Sequence, residues 1–159
     1  MTTSRPALPT GIKRWFFRLP IALYRLGLGW LLGGRFVLLN HIGRKSGQVR
    51  QAVVEVVRHD KATDTYTICS GFGPKTQWYQ NLLATPDITI QVGARKLDVH
   101  AEPLSTSAGG DEMVDYARRN PTAAHKLAQF MGFQTDGSEA SYREIGMQLP
   151  FVALRPRQA

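Results

Sequence analysis

At 159 residues with an apolar share of 43%, the chain has the size and composition of one folded domain, which argues against disorder. The formal charge of +8 points to an anionic partner: nucleic acid, an acidic membrane surface or a polyanionic small molecule. The single cysteine, Cys69, excludes an internal disulfide, no Cys/His spacing suggests zinc, and with no secretion signal the expected compartment is a reducing cytosol.

The N-terminal stretch Lys13 to Arg35 is basic, aromatic and apolar. Its longest apolar run, Ile21 to Leu32, would be about 18 Å long as a helix, short of the roughly 30 Å of a bilayer core, so it is not expected to span a membrane. Two readings stay open. One is a helix packed over the core. The other is an interfacial helix with Trp15, Phe16 and Phe17 at the lipid boundary beside Lys13, Arg14 and Arg18, which would place the protein peripherally at the inner face of a membrane. Residues 1–34 are therefore set apart as a helical extension, lid or membrane-surface element, and residues 35–159 as the main domain.

Arg35 to Ile42 is short and apolar and reads as a buried strand, followed after a tight glycine turn by a valine-rich strand over Gln48 to His59. A turn this short makes the pair antiparallel. Thr65 to Ser70 is a third strand. Gly71-Phe72-Gly73-Pro74 breaks the pattern, and a helix follows from about Lys75 to Ala84, bounded by Pro86. Asp87 to Val92 and Arg95 to Pro103 form a hairpin across Gly93-Ala94. Helical periodicity runs from Thr106 to Gly132 with a break at Pro121, then a glycine-, serine- and charge-rich stretch, then a last strand over Leu149 to Leu154. Six short, mainly antiparallel strands with one inserted helix predict an α+β fold, a small barrel that closes its own edges.

The chain lacks a P-loop, a complete dinucleotide fingerprint, HExxH and GxSxG. Its four histidines are scattered, which gives no metal cluster, and a lone histidine such as His41 reads as a packed or surface residue. The strongest positive signal is the turn Gly43-Arg44-Lys45-Ser46-Gly47 with Arg50 just beyond it. Glycines permit a backbone with exposed N–H groups, and Arg44, Lys45, Ser46 and Arg50 add side-chain donors suited to phosphate or carboxylate. The competing reading is a solvated hairpin whose cations guard a sheet edge. Ser70, Gly71, Phe72 and Gly73 lead into a helix N-terminus, which favours anions, with Lys75 at its start and Trp78 and Asn81 on one face.

The ordered series GRKSGxxR, an apolar strand, SGFG, WYxNL, ATPDITIQVG and LPFVALRP resembles the deazaflavin-dependent nitroreductase family, split β-barrel oxidoreductases that use coenzyme F-420. The resemblance covers about Arg35 to Pro156. It implies that Arg44, Lys45 and Arg50 hold the cofactor's phosphate and acidic tail. Ser70 and the Gly71 to Gly73 backbone would lie near the deazaflavin ring, and Trp78 and Asn81 would support the cofactor side. It also implies hydride transfer to a hydrophobic, electron-poor acceptor such as an enone or quinone, with Tyr142, Tyr79, Ser70 or water as the proton source. Two departures stand out: Gly71 follows the loop serine where family members often have a lysine, and Tyr142 is the one tyrosine between Pro121 and Leu149, where the nitro-reducing members carry several. The alternatives are an FMN-binding split barrel and a noncatalytic lipid-binding module. A monomer and a homodimer both fit. Nucleic acid is disfavoured because neither a helix-turn-helix nor an aromatic-basic strand motif is present.

Overall fold

The computed structural model describes residues 34–157, together with Ile21; the expected N-terminal helix, and with it the lid and membrane-surface readings, falls outside them. The strands are β1 (Phe36–Ile42), β2 (Val49–Asp60), β3 (Thr65–Cys69), β4 (Asp87–Val92), β5 (Arg95–Pro103) and β6 (Phe151–Pro156). The helices are α1 (Gln77–Ala84), α2 (Thr106–Arg119), α3 (Pro121–Phe130) and α4 (Glu139–Met147). The strands close a barrel in the order β1-β2-β3-β6-β5-β4, and every neighbouring pair is antiparallel. This is the expected α+β split barrel.

Closure depends on β2. Its first part pairs with β1 and its last part with β3, and the register shifts between Val56 and Arg58. A bulge of this kind bends a strand and increases its twist, which lets one strand serve both halves of the barrel. Arg119 from α2 donates to the Val57 carbonyl at the bulge (2.9 Å), and Arg58 makes a two-point contact with Glu112 at 2.8 and 3.0 Å. Alternation then sorts the side chains. Val37 and Leu39, Ile88, Ile90 and Val92, Val99 and Ala101, and Val152 and Leu154 fill the interior, and Leu82 of α1 joins them.

A second cluster lies between the helices and the barrel, built from Met113, Val114, Ala124, Ala128, Met131, Phe133, Tyr142, Ile145 and Phe151 among others. Here α2 and α4 cross closely. A Cβ on Gly109 would meet the Gly146 carbonyl oxygen at 2.8 Å, and one on Gly146 would meet the Met113 Cβ at 2.6 Å. The contact therefore requires glycine on both helices.

Several boundaries differ from expectation. The helix expected from Lys75 begins at Gln77, because the hydroxyls of Ser70 and Thr76 hold the preceding residues in a hydrogen-bonded loop. The stretch from Thr106 to Gly132, by contrast, divides at Pro121 as expected, with that proline at the first position of α3. The polar stretch after it contains α4, which starts at a Ser138 cap whose hydroxyl accepts from the Ser141 N–H. The last strand starts at Phe151 rather than Leu149, beyond Pro150. Among the described residues no helix is long and apolar enough to cross a membrane.

Candidate functional site

The basic turn is locked by its own backbone. The Gly43 N–H donates to the Gln48 carbonyl and the Gly47 N–H to the Gly43 carbonyl, both at 2.8 Å, with Gly47 at φ 71°. That positive φ is what glycine supplies. Ser46 Oγ accepts from the Gln48 N–H at 3.2 Å, so this side chain closes the turn. The Arg44 N–H donates to Asn81 Oδ1 at 3.1 Å. The row of free backbone donors expected here is thus reduced, and among the described residues the N–H groups of Lys45 and Ser46 have no protein acceptor.

Arg44 is held from the side facing α1. Its Nη1 donates to Gln77 Oε1 and to Asn81 Oδ1, each at 2.9 Å. Both hydrogens of that nitrogen are then in use, and the Nε–Nη2 edge of the guanidinium keeps a two-point donor geometry suited to a phosphate or carboxylate. Asn81 is buried, and its Nδ2 lies 2.9 Å from Nδ1 of His41, also buried. Burial, with a smaller contribution from Arg50 across the strand pair, lowers the His41 pKa to about 4, so the ring is neutral at physiological pH.

The glycine loop meets the turn through α1. Ser70 is buried. Its hydroxyl donates to the Gly73 carbonyl at 2.6 Å, and Thr76 Oγ1 lies 2.9 Å away. A carbonyl can only accept, so Ser70 gives its proton to Gly73 and receives that of Thr76. Thr76 is the residue that precedes α1, and because its hydroxyl is turned to Ser70 the first-turn N–H groups have no side-chain cap. Gly73 takes φ 93° and closes the loop by donating to the Ser70 carbonyl at 3.0 Å. A Cβ on Gly71 would meet Met131 Sδ at 3.1 Å. The half-buried Phe72 ring stands edge-on to Phe130, with centroids 6.0 Å apart.

Ion pairing differs between this region and the rest of the described surface. Carboxylates elsewhere pair with Arg35, Arg58, Arg95, Arg118, Arg119, Arg143, Arg155 and Arg157. Among the described residues no carboxylate pairs with Arg44, Lys45, Arg50 or Lys75, and all four are exposed. Lys61, Lys96 and Lys126 are likewise exposed without a carboxylate partner, but they stand apart in the sequence, whereas the turn places Arg44, Lys45 and Arg50 within one short hairpin.

Of the residues singled out from the sequence, Arg44 is joined to α1 through Asn81, and the Ser70–Gly73 loop is joined to the start of α1 through Thr76. Lys45 and Arg50 flank them on the hairpin. Lys75 lies just before α1. Trp78 is half-buried against the barrel core, edge-on to Tyr79. Tyr142 is buried in the second cluster, which reaches the loop through Met131. Sequence reasoning missed Gln77 as a partner of Arg44, although its spacing of four from Asn81 places both on one helix face. It also left His41 as a lone packed or surface residue. Among the described residues no group of His, Cys, Asp and Glu could hold a metal ion.

A family model described as F420H(2)-dependent quinone reductase matches residues 21–134. A Mycobacterium tuberculosis protein provisionally named an F420H(2)-dependent quinone reductase is 32% identical over 135 residues, covering 84% of this chain and 99% of that protein. A second protein of that organism, named an F420H(2)-dependent quinone reductase, is 33% identical over 110 residues, covering 58% of this chain and 71% of its own length. Among solved structures, an F420-H2 dependent reductase superposes with a TM-score of 0.51 at 22% identity over 76% of this chain and 94% of that one. Another, described as a domain-swapped dimer, gives 0.54 at 19% identity over 91% of this chain and all of that one. At these identities the structural likenesses show the fold, and the family match carries the rest. The chain belongs to the F420H(2)-dependent quinone reductase family, oxidoreductases whose cofactor is the deazaflavin coenzyme F-420.

Proposed function

We propose that the chain reduces a hydrophobic, electron-poor acceptor of the quinone or enone type, with the coenzyme held between the basic turn and the glycine loop. The observation that carries this reading is the set of four exposed cations, Arg44, Lys45, Arg50 and Lys75, that lack a carboxylate partner while most other arginines have one. A phosphate with an acidic tail is the ligand such a set fits, and Arg44 offers it a donor edge fixed in advance by Gln77 and Asn81.

The bound reduced deazaflavin supplies the hydride. The protein's own part is to bind, orient and exclude water. Lys45 and Arg50 add charge and raise the local concentration of the anion. Ser70 shapes the loop: its hydroxyl proton is committed to the Gly73 carbonyl, so in this reading it does not protonate the product. The loop backbone, with Gly71 bare and Phe72 and Phe130 beside it, offers an apolar rim for a flat acceptor. The acceptor's poor solubility in water gives the basic, aromatic stretch Lys13 to Arg35 a use at an anionic bilayer surface.

The test is an assay that follows loss of the reduced coenzyme with a short-chain quinone, a cyclic enone and a nitroaromatic as acceptors. The reading predicts turnover with the quinone or enone well above that with the nitroaromatic. Coenzyme that binds but is oxidised by none of them overturns the acceptor class.

A further inference from the structure

We infer that His41 is a positioning residue for the coenzyme: through Asn81 it fixes the direction in which Arg44 presents its donors. The inference rests on the assignment of the basic turn to the cofactor's anion and adds to it a residue that never touches the ligand.

The Arg44 backbone N–H and guanidinium can only donate, and both face the same Asn81 atom at 3.1 and 2.9 Å. That atom must be the carbonyl oxygen. The amide nitrogen of Asn81 then points the other way, where it meets Nδ1 of His41 at 2.9 Å. Two donors cannot share that hydrogen bond, so Nδ1 carries no proton and the ring is the Nε2–H tautomer. His41 is therefore the acceptor that completes Asn81. Without it the Asn81 amide N–H is left buried and unpaired; a half-turn of the amide would set its donors against those of Arg44, so the side chain regains an acceptor only by leaving this position, and its oxygen leaves Arg44 with it. The low dielectric of the pocket makes this choice steep, because a buried unpaired donor is costly. The chain of contacts runs from β1 through α1 to the turn, between residues 40 and 37 positions apart in sequence. The burial that keeps the ring neutral acts in the same direction.

The decisive experiment is a double-mutant cycle on coenzyme binding with His41→Leu, Asn81→Ala and the combined variant, alongside His41→Asn and Arg50→Ala. Asparagine places an acceptor oxygen near the site of Nδ1. His41→Leu should weaken binding of oxidised coenzyme about tenfold, as expected for the loss of a hydrogen bond that orients a charged donor. It should raise KM for the reduced form while kcat changes less than twofold. His41→Asn should restore affinity to within about twofold. On the Asn81→Ala background, His41→Leu should add less than about twofold, because both substitutions break one path. Full additivity, or native affinity in His41→Leu, overturns the inference. Arg50 lies outside this path. If Arg50→Ala weakens binding and His41→Leu does not, the turn still holds the anion and only the role of His41 falls. If Arg50→Ala leaves binding unchanged, the assignment of the turn itself has failed. Should His41→Leu not fold, nitrogen-15 NMR of the native protein decides. An unprotonated Nδ1 at neutral pH is required, and the Nδ1–H tautomer refutes the path.

Discussion

Replacing Arg44 probes the site at its most constrained cation. Its Nη1 is held at 2.9 Å by both Gln77 and Asn81, so the side chain is ordered before any ligand arrives and little rotamer entropy remains to be lost on binding. Removing it in Arg44→Ala deletes one two-point, charge-assisted contact of about 2–3 kcal/mol, or about 30- to 150-fold in Kd. Arg44→Lys separates charge from geometry. An ammonium keeps the charge but cannot grip Asn81 and Gln77 while presenting a planar fork, so a smaller loss of about 1–2 kcal/mol, about 5- to 30-fold, is expected. The salt dependence of binding should stay native-like in the lysine variant and flatten in the alanine variant. The assay is quenching of coenzyme fluorescence at two ionic strengths, with a thermal melt as control. Loss of the two inward bonds should lower Tm by no more than a few degrees, at about 2–4 °C per kcal/mol for a chain of this size. A folded Arg44→Ala variant that binds within twofold of the native protein refutes the reasoning.

Three further outcomes follow from the same geometry. Ser70→Ala removes the donor to Gly73 and the acceptor for Thr76 in a buried loop, and should cost about 1–3 kcal/mol in urea denaturation with an unchanged m-value; an effect on turnover with native stability would contradict its structural role. His41 has a folded pKa near 4 against an ordinary value of 6.5, so the unfolded chain binds more protons between those values and stability falls as pH drops through that window. The contribution is about 3 kcal/mol between pH 7 and pH 4, and His41→Asn should show a correspondingly flatter pH profile of unfolding free energy. Cys69 is half-buried against the second cluster, and desolvation there raises its thiol pKa, so alkylation should be slower in the native protein than in urea; equal rates in the two would contradict this placement.

How much of this was legible in the sequence depended on whether a residue's role was local. Alternation in Ile88-Thr89-Ile90-Gln91-Val92 and the Gly93 turn, which takes φ 58°, gave the β4–β5 hairpin with its bounds intact. Helix α4 was hidden because Gly146 and its polar neighbours lower helix propensity, yet that glycine is what lets α4 approach Gly109 and Gly110. The start of α1 was displaced by a hydroxyl pair that no periodicity encodes. At the site, the residue types of the basic turn were plain. Their partners were not, because Asn81 and His41 reach Arg44 and each other only after the barrel closes and α1 packs over its end. Gly71 illustrates the same limit: the absence of a side chain was visible, and the reason, Met131 seated against it, belongs to α3 and the residues that follow it.

Coenzyme binding by the cations of the turn and loop that lack a carboxylate partner is the central claim. The direct measurement is a fluorescence titration of the purified protein with oxidised coenzyme F-420 at low and at physiological salt, with Arg50→Ala in parallel. Micromolar or tighter binding that weakens with salt, and weakens strongly in the variant, is the predicted result. Binding that ignores both salt and the substitution, or no binding at low salt, contradicts it.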